Sequence, residues 1–391
     1  MTTVFRKPWL RLAARLFDGA GGKCRPRKKR AFPADARKIL VIRLDNIGDV
    51  VLSEPFLRAL KEQKPECIVT CLTTSAGNAI LSRSKAIDHL MAFDPAWFSS
   101  QRNRLKMIRD WFKLVRLIRH VDADIIVDLR GDVRHIVAAR IAKPKAWILS
   151  YGITGGGFLL DRQAVYSDSD HAAQRNMHLL SMMGLKNQTP ATLTAVASEP
   201  LADSIQKLLP PKTGPWIALH AGAGMPAKAW PVSHWQKLLE KISARNQFEL
   251  FWIGDRNTCA IIKNIREGFK AGGVDLSQQL PIGQLGTFLK RCDLLISVDS
   301  GPVHIAAAHQ VPTLALFSGT NEVRLWRPLN GNVKILTQPV SCAPCHQRIC
   351  PKPHHDCMTG LSPETVLRAM DELLTPFLNN NKEQKIWHEP I

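Results

Sequence analysis

Three stretches of this chain carry residue types whose spacing could do chemistry, and each follows a short apolar run. The first is Ile39-Leu-Val-Ile-Arg-Leu-Asp-Asn-Ile-Gly-Asp49. Its β-branched start reads as a buried parallel strand, and Asn46 and Gly48 supply turn chemistry. Asp49 then falls where a helix should begin, with Leu52, Phe56 and Leu60 following at helical spacing. A carboxylate there faces unpaired N–H groups and the positive end of the helix dipole, which favours ionisation. An ionised carboxylate can act as a general base toward a hydroxyl. On spacing alone a helix cap is the favoured reading, since caps far outnumber catalytic bases. Position favours the base, because open parallel sheets bind ligands beyond the carboxyl ends of their strands.

The second stretch, His220-Ala-Gly-Ala-Gly-Met-Pro-Ala-Lys-Ala-Trp-Pro231, follows the apolar run that begins at Trp216. Gly222 and Gly224 permit close backbone approach, and Lys228 offers a mobile ammonium, a combination suited to phosphate. A plain strand-to-helix loop with a surface lysine is the competing reading. The third, Ser297-Val-Asp-Ser-Gly-Pro-Val-His304, repeats the logic at another strand end. Pro302 fits a first helical turn, so the N–H groups of Ser300, Gly301 and Val303 could face a diphosphate while Asp299 binds sugar hydroxyls. His304 reads either as a phosphate donor or as a satisfied core histidine, the core role being preferred on its own.

Two further groups stand apart. Arg130 and Arg134 follow the apolar run Asp124 to Leu129, where they either fork onto carboxylates or phosphates or form ion pairs with Asp128 or Asp132. Cys342, Cys345, Cys350 and Cys357 have zinc-type donors among them, but with two, four and six intervening residues they match no standard finger spacing. Structural zinc, packed thiols and a disulfide all stay open.

The elements that must position these groups alternate along the chain. Strands are expected at Ile39–Leu44, Cys67–Leu72, Asp124–Leu129, Trp216–His220, Phe248–Ile253, Leu294–Val298 and Thr313–Phe317, with helices between them. In one helix, Leu105, Ile108, Phe112, Val115 and Ile118 would form the buried stripe and the interleaved Lys and Arg a solvated face. At 391 residues with 45% apolar content, the chain has material for two domains. The expected division is a basic arm 1–38, a Rossmann-like domain 39–200, a second 201–378, and a tail 379–391. The arm holds twelve Lys/Arg against Asp18 and Asp35 in a chain of net charge +20. In it Phe5, Trp9, Leu12 and Leu16 recur at helical spacing. That pattern suits an anionic membrane surface, with the Lys23–Arg30 cluster adding attraction, and a solvated tail is the other reading. No apolar run is long enough to span a bilayer, and Arg11 and Arg15 interrupt any signal-like core, so a cytoplasmic protein is expected.

In combination, Arg43-Leu-Asp-Asn-Ile-Gly-Asp-Val, Gly222-Ala-Gly-Met-Pro-Ala-Lys-Ala-Trp-Pro and Ser297-Val-Asp-Ser-Gly-Pro-Val-His resemble the motifs of family 9 glycosyltransferases, the heptosyltransferases of lipopolysaccharide core assembly. They occur in the family's order, and the resemblance covers roughly Ile39 to Thr375. It implies an α/β GT-B fold, two Rossmann-like doubly wound domains facing a central cleft. It further implies inverting transfer of heptose from ADP-heptose to an acidic lipid-linked acceptor, with no cofactor or catalytic metal. By the same resemblance Asp49 matches the catalytic base, Lys228 the phosphate-binding lysine, and Asp299, Ser300, Gly301 and His304 the donor-contact segment. Ala229 stands where relatives often carry a basic residue. Asp255, Ile282 and Gly283 are the candidates for the nucleoside, and Arg43, Arg130 and Arg134 for the acceptor.

Two other function classes remain on the sequence. One is a GT-B sugar-nucleotide epimerase, which would need extra acid/base groups. The other is a non-enzymatic basic protein bound to membrane or nucleic acid. No nucleic-acid module accompanies the arm, so nucleic acid is not an expected partner. The expected location is the cytoplasm, with the arm holding the protein on the inner membrane.

Overall fold

The computed structural model describes residues 16, 18–21, 30–98, 103–187, 193–194, 196–267, 273–329 and 332–386, the side chains of 376–386 excepted. The chain forms two compact units, Met1–Pro190 and Ala191–Ile391. Of the arm's apolar stripe only Leu16 is described; Phe5, Trp9 and Leu12 lie outside the described residues, as does most of the Lys23–Arg30 cluster.

The first unit is built on β1 Lys38–Arg43, β2 Ile68–Thr73, β3 His89–Ala92, β4 Ile125–Asp128, β5 Trp147–Ser150 and β6 Arg162–Gln163. Their order in the sheet is β3-β2-β1-β4-β5-β6. All pairings are parallel, with Ile39 beside Ile125 and Ile42 beside Asp128. β1 and β4 are buried on both faces, as near-continuous apolar runs require. The second unit contains β7 Trp216–His220, β8 Glu249–Trp252, β9 Val274–Asp275, β10 Leu294–Val298, β11 Thr313–Phe317 and β12 Val333–Thr337. Their order is β12-β11-β10-β7-β8-β9, again parallel throughout. Counted from each unit's first strand, both sheets have the doubly wound order 3-2-1-4-5-6. Each therefore reverses direction once beside its first strand, between β1 and β4 in one and between β7 and β10 in the other.

The long helix Pro363–Ile386 covers one face of the second sheet. It buries Val366, Ala369, Met370, Leu373 and Leu374, spaced for one stripe of a 3.6-residue period. It continues through 379–386, expected as tail, because the asparagines there weaken a helix without breaking it.

The structure departs from the sequence expectation at three further places. The helix after β1 is two helices, Ile47–Val51 and Glu54–Gln63, because Pro55 has no N–H to continue the ladder from the first. Short strands β3, β5, β6, β9 and β12 were not anticipated, most being edge or near-edge strands too brief for a periodic signal. In the helix Arg104–His120, Val115 and Ile118 are buried as expected, but Leu105, Ile108 and Phe112 are exposed. Leu114 takes part in the core instead, since only the C-terminal half of the helix lies fully against the sheet.

Candidate active site

Asp49 lies in the first turn of Ile47–Val51, and Asn46, not Asp49, occupies the cap position. The Asp49 carboxylate is held from below by Arg43, at the end of β1, whose Nη2 donates to Oδ1 at 3.2 Å. Arg43 Nε also donates to the Asp49 carbonyl at 3.1 Å, and Nη1 to the Leu129 carbonyl at 3.0 Å. One buried guanidinium thus ties the ends of β1 and β4 together and orients the aspartate. The reciprocal tie comes from Arg130, whose Nη1 donates to the Leu44 carbonyl at 3.2 Å and pairs with Asp45.

Asp45, beside the turn residues Asn46 and Gly48, sits between Arg130 and Arg43, 3.7 Å from the latter. Burial and the neighbouring Asp49 charge push its carboxyl up to about 6, against the pull of Arg43 and Arg130. Its signal in sequence was the paired Asp-x-x-x-Asp flanked by arginine, where two carboxylates must share cations.

Both readings of Arg130 and Arg134 can be examined directly. Arg134 Nε donates to Asp132 Oδ1 at 2.9 Å, and its guanidinium stacks on Trp97 at 4.8 Å. Arg130 stacks on Phe98 at 4.8 Å while bound to Asp45. The ion pairs therefore form, with Asp45 and Asp132 as partners. Asp128 is occupied otherwise: it meets His135 Nδ1 at 3.0 Å and accepts from Gly131 N at 2.8 Å and Ser150 Oγ at 2.8 Å. That network holds the turn that carries Arg130 and leads into the helix Val133–Ala142, which carries Arg134. Burial raises the Asp132 carboxyl and the Arg134 hydrogen bonds outweigh it, leaving it well below the usual range.

In the second unit, β7 ends at His220 and β10 leads into Asp299 and Ser300, which are likewise neighbours at the direction reversal. His220 Nδ1 lies 3.3 Å from Ser297 Oγ and 3.1 Å from Ser300 Oγ. Burial holds the imidazole down to about 4, so it is neutral at physiological pH. Lys228 closes a short 3-10 turn, Pro226–Lys228, and its Nζ stands 2.5 Å from Asp299 Oδ2. Gly222 is required by packing: a Cβ there would meet Thr258 Oγ1 at 2.3 Å. Gly224 has open space around it.

Ser300 is the cap residue of the helix Gly301–Ala308, with Pro302 in its first turn as the motif predicts. His304 is buried within that helix. The three stretches thus place Lys228, Asp299, Ser300 and Gly301 in one unit and Asp49 with Arg43 in the other, the unit that also holds Arg130 and Arg134.

The nucleoside candidates have local structural duties. Asp255 caps the helix Arg256–Arg266, accepting from Thr258 N at 3.0 Å and Thr258 Oγ1 at 2.7 Å. Burial raises its carboxyl, and the Thr258 and Asn257 hydrogen bonds overcome this and lower it. Gly283, in the turn Ile282–Gln284, accepts from Glu199 N at 2.9 Å, and a Cβ would strike the Glu199 carboxylate.

Cys342, Cys345, Cys350 and Cys357 are free thiols lining one small cavity. Among the described residues no three His, Cys, Asp or Glu side chains come together as a metal set. The segment has another role on display. The Arg348 carbonyl accepts from Ala227 N at 3.0 Å, and His355 Nε2 lies 3.0 Å from the Ala227 carbonyl. The cysteine segment thereby braces the turn that presents Lys228, a link that sequence separation concealed.

Two doubly wound Rossmann-like units in one chain, each with polar groups gathered where its strand order reverses, define the GT-B class. The comparisons place it more narrowly. A model of glycosyltransferase family 9 (heptosyltransferase) matches residues 111–355, and the chain belongs to that family. Lipooligosaccharide heptosyltransferase 2 of Campylobacter jejuni is 31% identical over 163 residues, 41% of this chain and 52% of that protein. The chain therefore spans about half the length of the Campylobacter jejuni relatives it matches first. Lipopolysaccharide heptosyltransferase 3 of Escherichia coli is 23% identical over 306 residues, 73% of this chain and 84% of the relative. Among solved structures, the E. coli ADP-heptose lps heptosyltransferase II superposes with a TM-score of 0.69 at 18% identity, over 87% of this chain and 99% of that one. That likeness establishes the shared fold.

Proposed function

We propose that this chain is a glycosyltransferase that moves heptose from ADP-heptose to a lipopolysaccharide core acceptor, with inversion and without a catalytic metal. The observation that carries the reading is the oriented carboxylate of Asp49, gripped by Arg43 3.2 Å away, at the carboxyl end of β1. Asp49 takes the proton of an acceptor hydroxyl. The resulting oxygen attacks the anomeric carbon, the bond from that carbon to the diphosphate breaks, and ADP leaves with the electron pair. Lys228, together with the N–H groups at Ser300 and Gly301, meets the charge that develops on the diphosphate. Asp299 holds Lys228 ready before the donor arrives. Residues 39–200 serve the acceptor and 201–378 the donor, with Arg43, Arg130 and Arg134 offering cations to an acidic acceptor. Asp255, Ile282 and Gly283 lie on the nucleoside side of this scheme. The work takes place at the cytoplasmic face of the inner membrane.

Two features support this reading. The relatives include lipopolysaccharide and lipooligosaccharide heptosyltransferases, and solved neighbours include an E. coli heptosyltransferase with ADP-2-deoxy-2-fluoro heptose. Asp49→Asn is the test: it keeps an oxygen for Arg43 but cannot accept a proton. Transfer should fall by about 10²–10⁴ while the melting transition holds. An Asn variant that retains full transfer removes Asp49 from the chemistry.

A further inference from the structure

The helix Arg104–His120 shows solvent a face that a water-soluble surface has little reason to carry. Leu105 is 79% exposed, Ile108 56% and Phe112 62%, and their spacing lines them up on one side. Single exposed apolar residues are ordinary, but three large ones in a row on one helix mark an interaction surface. Around them the chemistry is of one sign. Lys106, Arg109 and Lys113 flank the stripe, and Arg116 and Arg119 continue it, all exposed. Among the described residues none of these five is in an ion pair. The helix has one acid, Asp110, which is buried and occupied by the Ala96 N–H at 3.0 Å.

We propose that this face docks on an anionic lipid bilayer, with Leu105, Ile108 and Phe112 entering the headgroup boundary and the flanking cations meeting lipid phosphates. Charge decides between this occupant and the alternatives. A second copy would press one set of unpaired cations against another. A nucleic acid would take the cations but leave the apolar stripe without a partner. An anionic bilayer satisfies both, since amphipathic basic helices gain from apolar insertion and from attraction to acidic lipid. The inference deepens the membrane placement of the proposed function and assigns it to a folded helix, distinct from the arm of residues 1–38.

The test uses the full chain and vesicles of phosphatidylcholine with or without phosphatidylglycerol, read by flotation. Wild type should float with the anionic vesicles and not with phosphatidylcholine alone, and added salt should weaken the binding. The triple variant Leu105→Ser, Ile108→Ser, Phe112→Ser should bind at least tenfold more weakly, with its circular dichroism and melting unchanged. Arg109→Glu with Lys113→Glu should lose binding too, which separates docking from any loss of helix. Undiminished binding by both variants, no binding by wild type, or a wild-type dimer that the triple variant abolishes would each overturn the proposal. Transfer to a soluble truncated acceptor is measured alongside. Its absence in every protein would sink the transferase reading and leave the vesicle result standing.

Discussion

Acid should loosen the second unit through His220, and the size of the effect follows from its burial. The imidazole is held down to about 4 in the folded chain, against 6.5 for an unperturbed histidine. Below 6.5 the unfolded chain therefore binds a proton that the folded one refuses until about 4. Stability from this group is complete above the unfolded value and is lost as pH falls through that window. The full span is worth about 3 kcal/mol, and most of it is already gone at pH 4.5. His220→Gln keeps a polar group beside Ser297 and Ser300 and cannot titrate. Guanidinium unfolding at pH 7.5 and 4.5 measures the difference, with amide exchange in β7 and β10 locating it. Wild type should lose about 2–3 kcal/mol more than the variant between the two pH values. Identical losses, or an imidazole that protonates above pH 6 by NMR, would refute the argument.

Two further outcomes follow from paired charges. Lys228→Ala strands the buried Asp299 carboxylate, which should cost about 3 kcal/mol of stability in that unit. It should also lower kcat/KM for the donor about 10- to 100-fold, as loss of a charged hydrogen bond implies. Adding Asp299→Asn should restore stability in a thermal melt without restoring the rate. In the first unit, Arg140 donates to the carbonyls of Leu159, Pro144 and Ala146 and pairs with Asp161 at 2.7 Å. Arg140→Ala should cost about 3–5 kcal/mol in chemical unfolding. Burial raises the Asp161 carboxyl, but Arg30 and Arg140 bring it down to about 2, so this contribution is present above the unfolded value and fades as pH falls toward 2.

Much of this was legible in sequence because the informative residues sit where periodicity changes. Strand runs such as Trp216–His220 and Leu294–Val298 end sharply, and the glycines, prolines and aspartates after them say what kind of turn follows. What sequence could not carry were pairings across long separations. The Lys228–Asp299 contact joins residues 71 positions apart, and the brace from Arg348 and His355 onto Ala227 is longer still. Asp45 was undervalued for a related reason. Its local neighbours suggest a turn, whereas its environment is set by Arg130, which arrives on the next strand of the sheet. Arg30 ends the basic Lys23–Arg30 cluster in sequence, but its guanidinium meets the Asp161 carboxylate with two contacts of 2.8 Å. The exposed stripe of Arg104–His120 was misplaced because a helical period shows which residues share a face and not whether anything covers it.

The central claim concerns which sugar nucleotide is broken and when. The purified chain should be given ADP-heptose, and separately a panel of other ADP- and UDP-sugars, with and without a truncated core acceptor. Release of nucleoside diphosphate and the mass of the acceptor are then followed together. The account predicts ADP release from ADP-heptose that depends on acceptor, matched by an acceptor heavier by one heptose. Turnover of a UDP-sugar alone, epimerisation of the donor, or no release under any combination would contradict it.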